Sequence, residues 1–449
     1  MASTRKTRGS ELLPVVEAAL AAHVPPGARL TLGYSGGVDS AAALDALARL
    51  AAPREYTLDC LHVHHGLSPN ADRWAEFAQR TAAGYGIACR VRKVNPADYP
   101  GLGVEGAARA ARYAAYAECD TDFIVLAHHR DDQAETLLLQ LARGAGVQGL
   151  AAMPVLRPLE GARSQLLRPL LDVSRAAIAA YAAGRDLEWV EDESNLDRGY
   201  ARNRLRHEVL PALQAINPAA VANIARAAAH LSDVAQLVDA WAGEDLMRVM
   251  REDAAVDLVA LRALGEVRAR YVLRAWLTAR GLVPPSMAEL SEVLRQLEDA
   301  REDAAPRGDF GEVELRRFRD GAYLVAKRPP PPRDYVAQWT GEPLWPLPEL
   351  HGSLRFDVVR GAGIALRHLP SMTVRLRQGG ERFRPGPGRP HRRLKHLLQE
   401  SAIPPWRRER LPLLYVGSRL AAVPGIGIDP EFVAAEGESG WLPRWETQH

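Results

Sequence analysis

The residues Ser35-Gly36-Gly37-Val38-Asp39-Ser40 constrain this chain more than any other stretch, because they stand between a strand-like run, Leu30 to Tyr34, and a strongly helical one, Ala41 to Leu50. A strand, a tight polar loop and a helix in that order gather backbone amides at the positive end of the helix, which is a ready anion site. Gly36 and Gly37 let the backbone approach phosphate oxygens closely, Ser35 and Ser40 add hydroxyl donors, and Val38 stands with them in the nucleotide-binding loop. Asp39 is unsuited to binding phosphate itself; its expected role is as a Mg²⁺ ligand or a helix cap. A glycine pair alone would equally suit a capped turn, whereas the whole hexapeptide in this setting is far more specific. The chain's lysines, Lys6, Lys93, Lys327 and Lys395, never follow a glycine, so this is not the Walker loop and γ-phosphate hydrolysis is not expected. Nor does Gly-x-Gly-x-x-Gly follow the strand, which removes the dinucleotide fingerprint.

From about Arg29 to Val190, β-rich runs alternate with helical stretches, the pattern of an α/β domain with a doubly wound, mainly parallel sheet. Strands are expected at Leu30 to Tyr34, Tyr56 to His64, Ile87 to Val94, Phe123 to Ala127 and Leu166 to Leu170, with helices between them. From Asn217 a long helix places Val221, Ile224, Ala228, Leu231, Ala235 and Val238 on one face. The prolines from Pro329 to Pro332 mark a stiff linker. With 449 residues the chain exceeds one core, and the expected domains are residues 1–215, a helical middle domain at 216–328 and a small α+β domain at 334–449. No apolar run is long enough to span a bilayer, so a cytoplasmic protein with no membrane partner is expected. Cys60, Cys89 and Cys119 form no Cys-x-x-Cys pair and no zinc-ribbon spacing. The net charge of +2 means that any affinity for nucleic acid must come from local clustering.

Two further segments fall where ligands gather in such sheets. His62-Val63-His64-His65 ends the second strand, which makes His64 and His65 candidates to line a nucleotide site. Ala127-His128-His129-Arg130-Asp131-Asp132-Gln133-Ala134-Glu135 follows the fourth, and His128, Asp132 and Glu135 would share one helical face. Its spacing matches neither His-Glu-x-x-His nor other hydrolase metal motifs, which argues against a histidine-bound metal. Between them, Glu105, Arg109, Arg112 and Tyr113 recur at helical spacing, either as a solvated charged face or as a pair of phosphate-binding arginines.

Ser-Gly-Gly-x-Asp-Ser is similar to the loop of the N-type ATP pyrophosphatases, the PP-loop superfamily, which implies ATP as cosubstrate, cleavage between its α and β phosphates, and Mg²⁺ near Asp39. Together with Arg143-Gly144-Ala145-Gly146, Arg168-Pro169-Leu170-Leu171, Asp192-Glu193-Ser194-Asn195 and Arg202-Asn203-Arg204-Leu205-Arg206, the His128 to Glu135 segment resembles the tRNA(Ile)-lysidine synthetase family. Glu381-Arg382-Phe383-Arg384, Leu394-Lys395, Ile403-Pro404-Pro405-Trp406 and Val423-Pro424-Gly425 look like that family's C-terminal domain. Glu193 stands where a proline is usual, and the loop Gly386 to Pro390 is more basic than expected. The resemblance implies that ATP activates carbon 2 of the wobble cytidine of the CAU-anticodon isoleucine tRNA, and that the ε-amine of free L-lysine then displaces AMP. Arg109 or Arg112 would hold the α-phosphate, and Asp132 with Glu135 would receive the lysine. Presenting a neutral lysine amine at pH 7 costs about 4.6 kcal/mol, so a carboxylate or His128 must accept a proton.

Between Arg375 and Arg410 the sequence carries an excess of eight positive charges with Phe383 and Trp406 nearby, which fits phosphate tracking with an aromatic platform; a solvated basic face is the alternative, and the resemblance to a family whose C-terminal domain binds tRNA favours the former. Arg382, Arg384, Arg392, Arg393, Lys395 and Trp406 are its expected RNA contacts, joined by Arg202 and Arg206 from the first domain. A homodimer is left open. The rival readings are a tRNA-thiolating enzyme, which normally needs paired cysteines or a cluster, and a non-catalytic tRNA-binding protein, which would not need an intact phosphate loop.

Overall fold

The computed structural model describes residues 12–193, 197–299 and 308–447; Ser194 and Asn195 of the motif above lie outside them. The chain divides into two compact units, Met1–Trp241 and Ala242–His449.

The first unit opens with helix α1 (Leu12–His23) and continues as β1 (Arg29–Gly33), α2 (Val38–Ala51), β2 (Thr57–His64), α3 (Ala71–Gly84), β3 (Cys89–Lys93), α4 (Gly103–Ala117), β4 (Phe123–Val125) and α5 (Arg130–Ala142). Next come a short α6 (Val147–Leu150), β5 (Leu156–Pro158), β6 (Gln165–Leu167) and α7 (Arg175–Gly184). After α8 (Ala201–Arg204) a π-helical turn, Leu205–Val209, leads into α9 (Leu210–Ile216) and the long α10 (Ala220–Val249), which carries the boundary to the second unit.

The sheet order is β3-β2-β1-β4-β6-β5, parallel throughout except where β5 pairs antiparallel to β6. All five expected strands are present, with ends displaced by up to three residues. The edge strand β5 was not expected: it is three residues long and ends on Pro158, too short for a periodic signal. Winding reverses between β1 and β4, and in such sheets the crevice beyond the strand ends at that point takes ligands. The core explains the placement of α2, in which every residue from Ser40 to Leu47 is buried. Asp45 is tolerated there because Tyr181 Oη (2.5 Å), Tyr85 Oη (3.1 Å) and Arg185 Nη2 (3.2 Å) all donate to it. Gly33 permits a close crossing: a Cβ there would lie 2.6 Å from Tyr116 Oη and 2.8 Å from Leu126 Cδ2. Val221 and Ala228 on the expected apolar face of α10 are buried, and Val221 packs with Leu210 against Ala134 of α5.

The second unit begins with β7 (Val256–Asp257), α11 (Leu258–Ala263), α12 (Glu266–Ala279), α13 (Met287–Asp299), β8 (Gly308–Phe310), β9 (Val313–Phe318) and β10 (Gly321–Ala326). The middle region is therefore not purely helical. Its helices share a core around Trp276 and Leu290 with an antiparallel sheet ordered β7-β10-β9-β8. Beyond the prolines lie β11 (Val336–Gln338), β12 (Leu344–Leu347), β13 (Gly352–Arg360), β14 (Ile364–Ala365), β15 (Met372–Arg375), β16 (Arg382–Phe383) and β17 (Arg392–Arg393). They are followed by α14 (Leu394–Glu400), α15 (Pro405–Arg408), β18 (Leu413–Val416), β19 (Arg419–Val423), β20 (Gly427–Ile428) and β21 (Ser439–Thr447). The main sheets, β11-β15-β18-β19-β20 and β12-β13-β21-β14, share a core that includes Leu354, Phe356, Val374 and Leu414. The hairpin β18–β19 turns at Gly417, whose φ is 62°.

Candidate active site at the reversal of the sheet

The loop after β1 folds on itself through its own hydroxyls. Ser40 Oγ donates to Gly37 O (2.9 Å) and accepts from the Gly36 amide (3.1 Å), while Ser35 Oγ lies 3.1 Å from Ser40 Oγ. Gly36 sits at φ 87°, the left-handed region where glycine carries no steric cost, and its carbonyl accepts from Val190 N at 2.9 Å. No side chain caps α2 at Gly37, so the amides of its first turn face the loop without a competing cap. Asp39 follows in that turn, and its buried Oδ1 has no hydrogen-bond partner.

Across the reversal, β4 delivers Leu126 to His129 onto α5. The helix starts at Arg130, so His128 precedes it and does not share a helical face with Asp132 and Glu135. His129 is the N-cap: its ring nitrogen Nδ1 accepts from Asp132 N (3.4 Å) and its own amide donates to Asp132 Oδ2 (2.9 Å). The histidine missed by sequence reasoning is thus the one that joins the two halves, because His129 Nε2 lies 3.6 Å from Asp39 Oδ2 and 3.5 Å from Asp132 Oδ2. Burial opposes a charged ring at His129, yet Asp39 and Asp132 outweigh it and hold the imidazole above its usual range. His128 goes the other way. Burial pushes it down to about 3, reinforced by Arg168 and Arg202 against the pull of Asp132, and its buried Nδ1 is unpartnered.

Asp132 and Glu135 lie together, as their spacing predicts, but they are already engaged. Glu135, fully buried, accepts from Arg202 Nε (2.6 Å) and from Arg206 Nε (2.7 Å), and Asp132 Oδ1 accepts from Arg202 Nη2 (3.0 Å). Burial would raise the Asp132 carboxyl, but His129 and Arg202 hold it low. Arg202 and Arg206 therefore do not stand on an exposed RNA face; their guanidiniums are spent on these carboxylates, as the π-helical turn brings both onto one carboxylate.

The flank of the crevice is arginine-rich. Arg109 donates to Tyr113 Oη at 3.1 Å and lies over its ring, with Arg157 also over that ring. Arg168, buried to 1%, donates to Pro154 O and acts electrostatically on both Tyr113 and His128. Burial works against a phenolate at Tyr113, and Arg109 and Arg168 overcome it. Arg112 Nε meets His65 Nε2 at 3.4 Å, and burial with that guanidinium brings His65 down to about 4. His64 turns instead to Asp72 (3.2 Å), a carboxylate that also holds Lys93. Among the described residues no three histidine, cysteine or acidic side chains are grouped to hold a metal by themselves. Asp39, with one orphaned oxygen, suits the different arrangement in which a hard cation is shared between one carboxylate and phosphate oxygens.

The basic stretch of the second unit sorts into spent and free charges. Arg384 pairs with Asp429 (3.2 Å), Arg392 with Glu400, and Arg382 Nη2 donates to His391 O. Arg393 and Lys395 are exposed. Trp406, half-buried, packs edge-on with Tyr323 and Phe318 and is as much a structural wedge as a surface platform.

Three family models match the chain: a PP-loop domain over residues 14–213, a TilS substrate binding domain over residues 257–323, and a TilS substrate C-terminal domain over residues 372–446. The middle region is thus matched as well. A tRNA(Ile)-lysidine synthase of Azoarcus sp. is 43% identical over 437 residues, 96% of this chain and 95% of that protein. Those of Nitrosomonas europaea and Chromobacterium violaceum are 40% and 41% identical, covering 95% and 92% of this chain and 93% and 94% of theirs. Among solved structures, the U34-tRNA thiolase NcsA from Methanococcus maripaludis aligns with TM-score 0.43 and 18% identity over 51% of this chain and 81% of that one. With a phosphate loop and an acidic, histidine-capped helix meeting at one sheet reversal, and with relatives of this similarity along nearly its full length, the chain belongs to the tRNA(Ile)-lysidine synthase family.

Proposed function

We propose that this chain ligates free L-lysine to carbon 2 of the wobble cytidine in a CAU-anticodon isoleucine tRNA, consuming ATP and releasing pyrophosphate and AMP. The observation that carries the reading is the contact of Asp39 with His129, which joins the phosphate loop to the acidic helix so that adenylation and lysine transfer share one crevice.

In the first step the loop amides, Ser35 and Ser40 receive the phosphates, and Arg109 and Arg112 stand on the flank as candidates for the α-phosphate. Asp39 would hold Mg²⁺, whose bound charge would offset that of the departing pyrophosphate. The base is attacked at its carbonyl carbon only after its oxygen has become a good leaving group, which is what AMP provides. In the second step Asp132 is the proposed lysine anchor, exchanging Arg202 for the substrate ammonium, and Glu135 stays paired with Arg206. Burial leaves His128 neutral but weakly basic at pH 7, and His129 and Arg202 hold the Asp132 carboxyl low as well; Asp132 is the proposed proton acceptor because it is the group that would meet the substrate ammonium directly.

Sulfur transfer is the poorer reading. Cys60 and Cys119 are buried, and burial pushes the half-buried Cys89 thiol up to about 11, far from the thiolate such chemistry uses. The test is incubation of purified protein with α-labelled ATP, lysine and CAU-anticodon tRNA. AMP formation that requires both lysine and that tRNA supports the proposal; AMP formation without lysine, or none at all, removes it.

A further inference from the structure

In the second unit, the hairpin of β9 and β10, the proline linker and α15 line an open cleft of about 530 Å³. Clefts of roughly 300–1,000 Å³ accommodate small organic ligands. Its lining combines aromatic and cationic side chains. Trp406 is fixed by Tyr323 (ring centroids 5.4 Å apart) and Phe318 (6.2 Å), with the Arg316 guanidinium 5.5 Å from the indole centre. Two of the acids in the wall are already engaged: Asp253 accepts from Tyr323 Oη at 2.8 Å, and Glu314 from Arg316 Nε at 2.9 Å. Among the described residues, Arg410 donates to the backbone carbonyls of Pro329 and Glu349. Arg280 and Arg407 are exposed, line the same cleft and form no ion pair among the described residues.

We propose that this cleft binds one unpaired nucleotide of RNA, its base against Trp406 and its phosphate between Arg280 and Arg407. The inference rests on the tRNA reading above and adds what kind of tRNA nucleotide this part of the chain takes. A rigid aromatic surface beside unpaired guanidiniums is the chemistry that holds single-stranded nucleotides, since every base offers a π-face and every phosphate a charge. A base stacked inside a duplex has both faces covered and cannot lay one against Trp406, so the occupant comes from a free end, a bulge or a loop. Arg407 also continues the basic stretch that bears Arg393 and Lys395, which favours a nucleotide within a chain over one free in solution.

The experiment uses full-length protein with a fluorescein-labelled single-stranded tetraribonucleotide, a blunt RNA duplex, 5′-CMP and a CAU-anticodon tRNA transcript. Arg280→Glu/Arg407→Glu should weaken single-strand and tRNA binding by about tenfold or more and reduce the salt slope by about one to two, the signature of lost phosphate contacts. Trp406→Ala should weaken the single strand by about tenfold with little change in salt slope, and Trp406→Phe should restore most of the loss. Arg280→Ala/Arg407→Ala gives the same direction with less risk to folding, and ATP affinity and melting temperature monitor the fold. Unchanged single-strand and tRNA affinities in variants that keep the wild-type melting temperature overturn the proposal. So does 5′-CMP that binds as tightly as the tetranucleotide and is not displaced by tRNA. If the wild type binds tRNA and forms AMP with lysine while the variants match it, only the cleft assignment fails. If the wild type does neither, the tRNA reading fails and takes this one with it.

Discussion

Arg206 grips Glu135 twice, from Nε to Oε1 at 2.7 Å and from Nη2 to Oε2 at 3.1 Å, and closes off a carboxylate that no solvent reaches. Arg202 reaches the same carboxylate and Asp132 together. Two acids and two guanidiniums therefore form a balanced cluster at the base of the proposed lysine site.

Removing one member of such a cluster leaves a buried charge without its partner. Glu135→Ala is expected to lower stability by about 3–5 kcal/mol. Denaturant unfolding of the single variants and of Glu135→Ala/Arg206→Ala checks this, and the double variant should lose less than the sum of the singles.

Asp132→Asn tests the proposed lysine anchor, with some loss of stability expected because Asp132 belongs to the same cluster. It removes the charge on the proposed lysine anchor while keeping the shape that accepts the His129 amide. Lysine KM should rise by about tenfold or more and lysidine formation should fall, with ATP KM little changed. Lysine dependence equal to wild type in steady-state assays would sink the assignment.

Asp39→Asn should reduce the rate of AMP formation by about a hundredfold, and the Mg²⁺ concentration needed for half-maximal rate should move upward. A metal titration of the single-turnover rate measures both.

Acid should loosen this fold before it reaches the carboxylates. His65 and His128 are held well below their unfolded value near 6.5, so the unfolded chain takes up their protons first. Stability is complete above about pH 6.5 and falls as the pH drops toward the folded values, about 4 for His65 and about 3 for His128. His129 has the opposite sign, its stabilisation being present at low pH and lost as pH rises through its raised value. His65→Asn should flatten the urea-midpoint profile between about pH 6.5 and 4.

Asp45→Asn tests a purely structural ion. It weakens the bonds from Tyr181, Tyr85 and Arg185, so a loss of about 2–3 kcal/mol is expected at neutral pH, with ATP KM at 25 °C near wild type.

The phosphate loop and the parallel sheet were legible because their signals are local: β-branched runs, a glycine pair, a polar loop and a helix start. The site was legible only in part. Asp132 and Glu135 were recognisable by spacing, but the choice between His128 and His129 depends on where α5 begins, and the capping box sets that start by geometry. Arg202 and Arg206 read as RNA contacts because sequence shows their charge and not their partners, which lie some 70 positions away at Glu135. An Arg-x-x-x-Arg helix set against an Asp-x-x-Glu helix was the available signal. The same limit applied to Arg384 and Arg392, whose charges are taken by Asp429 and Glu400.

The reversal of winding between β1 and β4 means that the crevice is a seam between two stretches of chain. A polypeptide divided between Val94 and Gly103 would carry Asp39 on one fragment and His129 on the other. Neither fragment could perform even half of the reaction, and activity would return only on their reassembly.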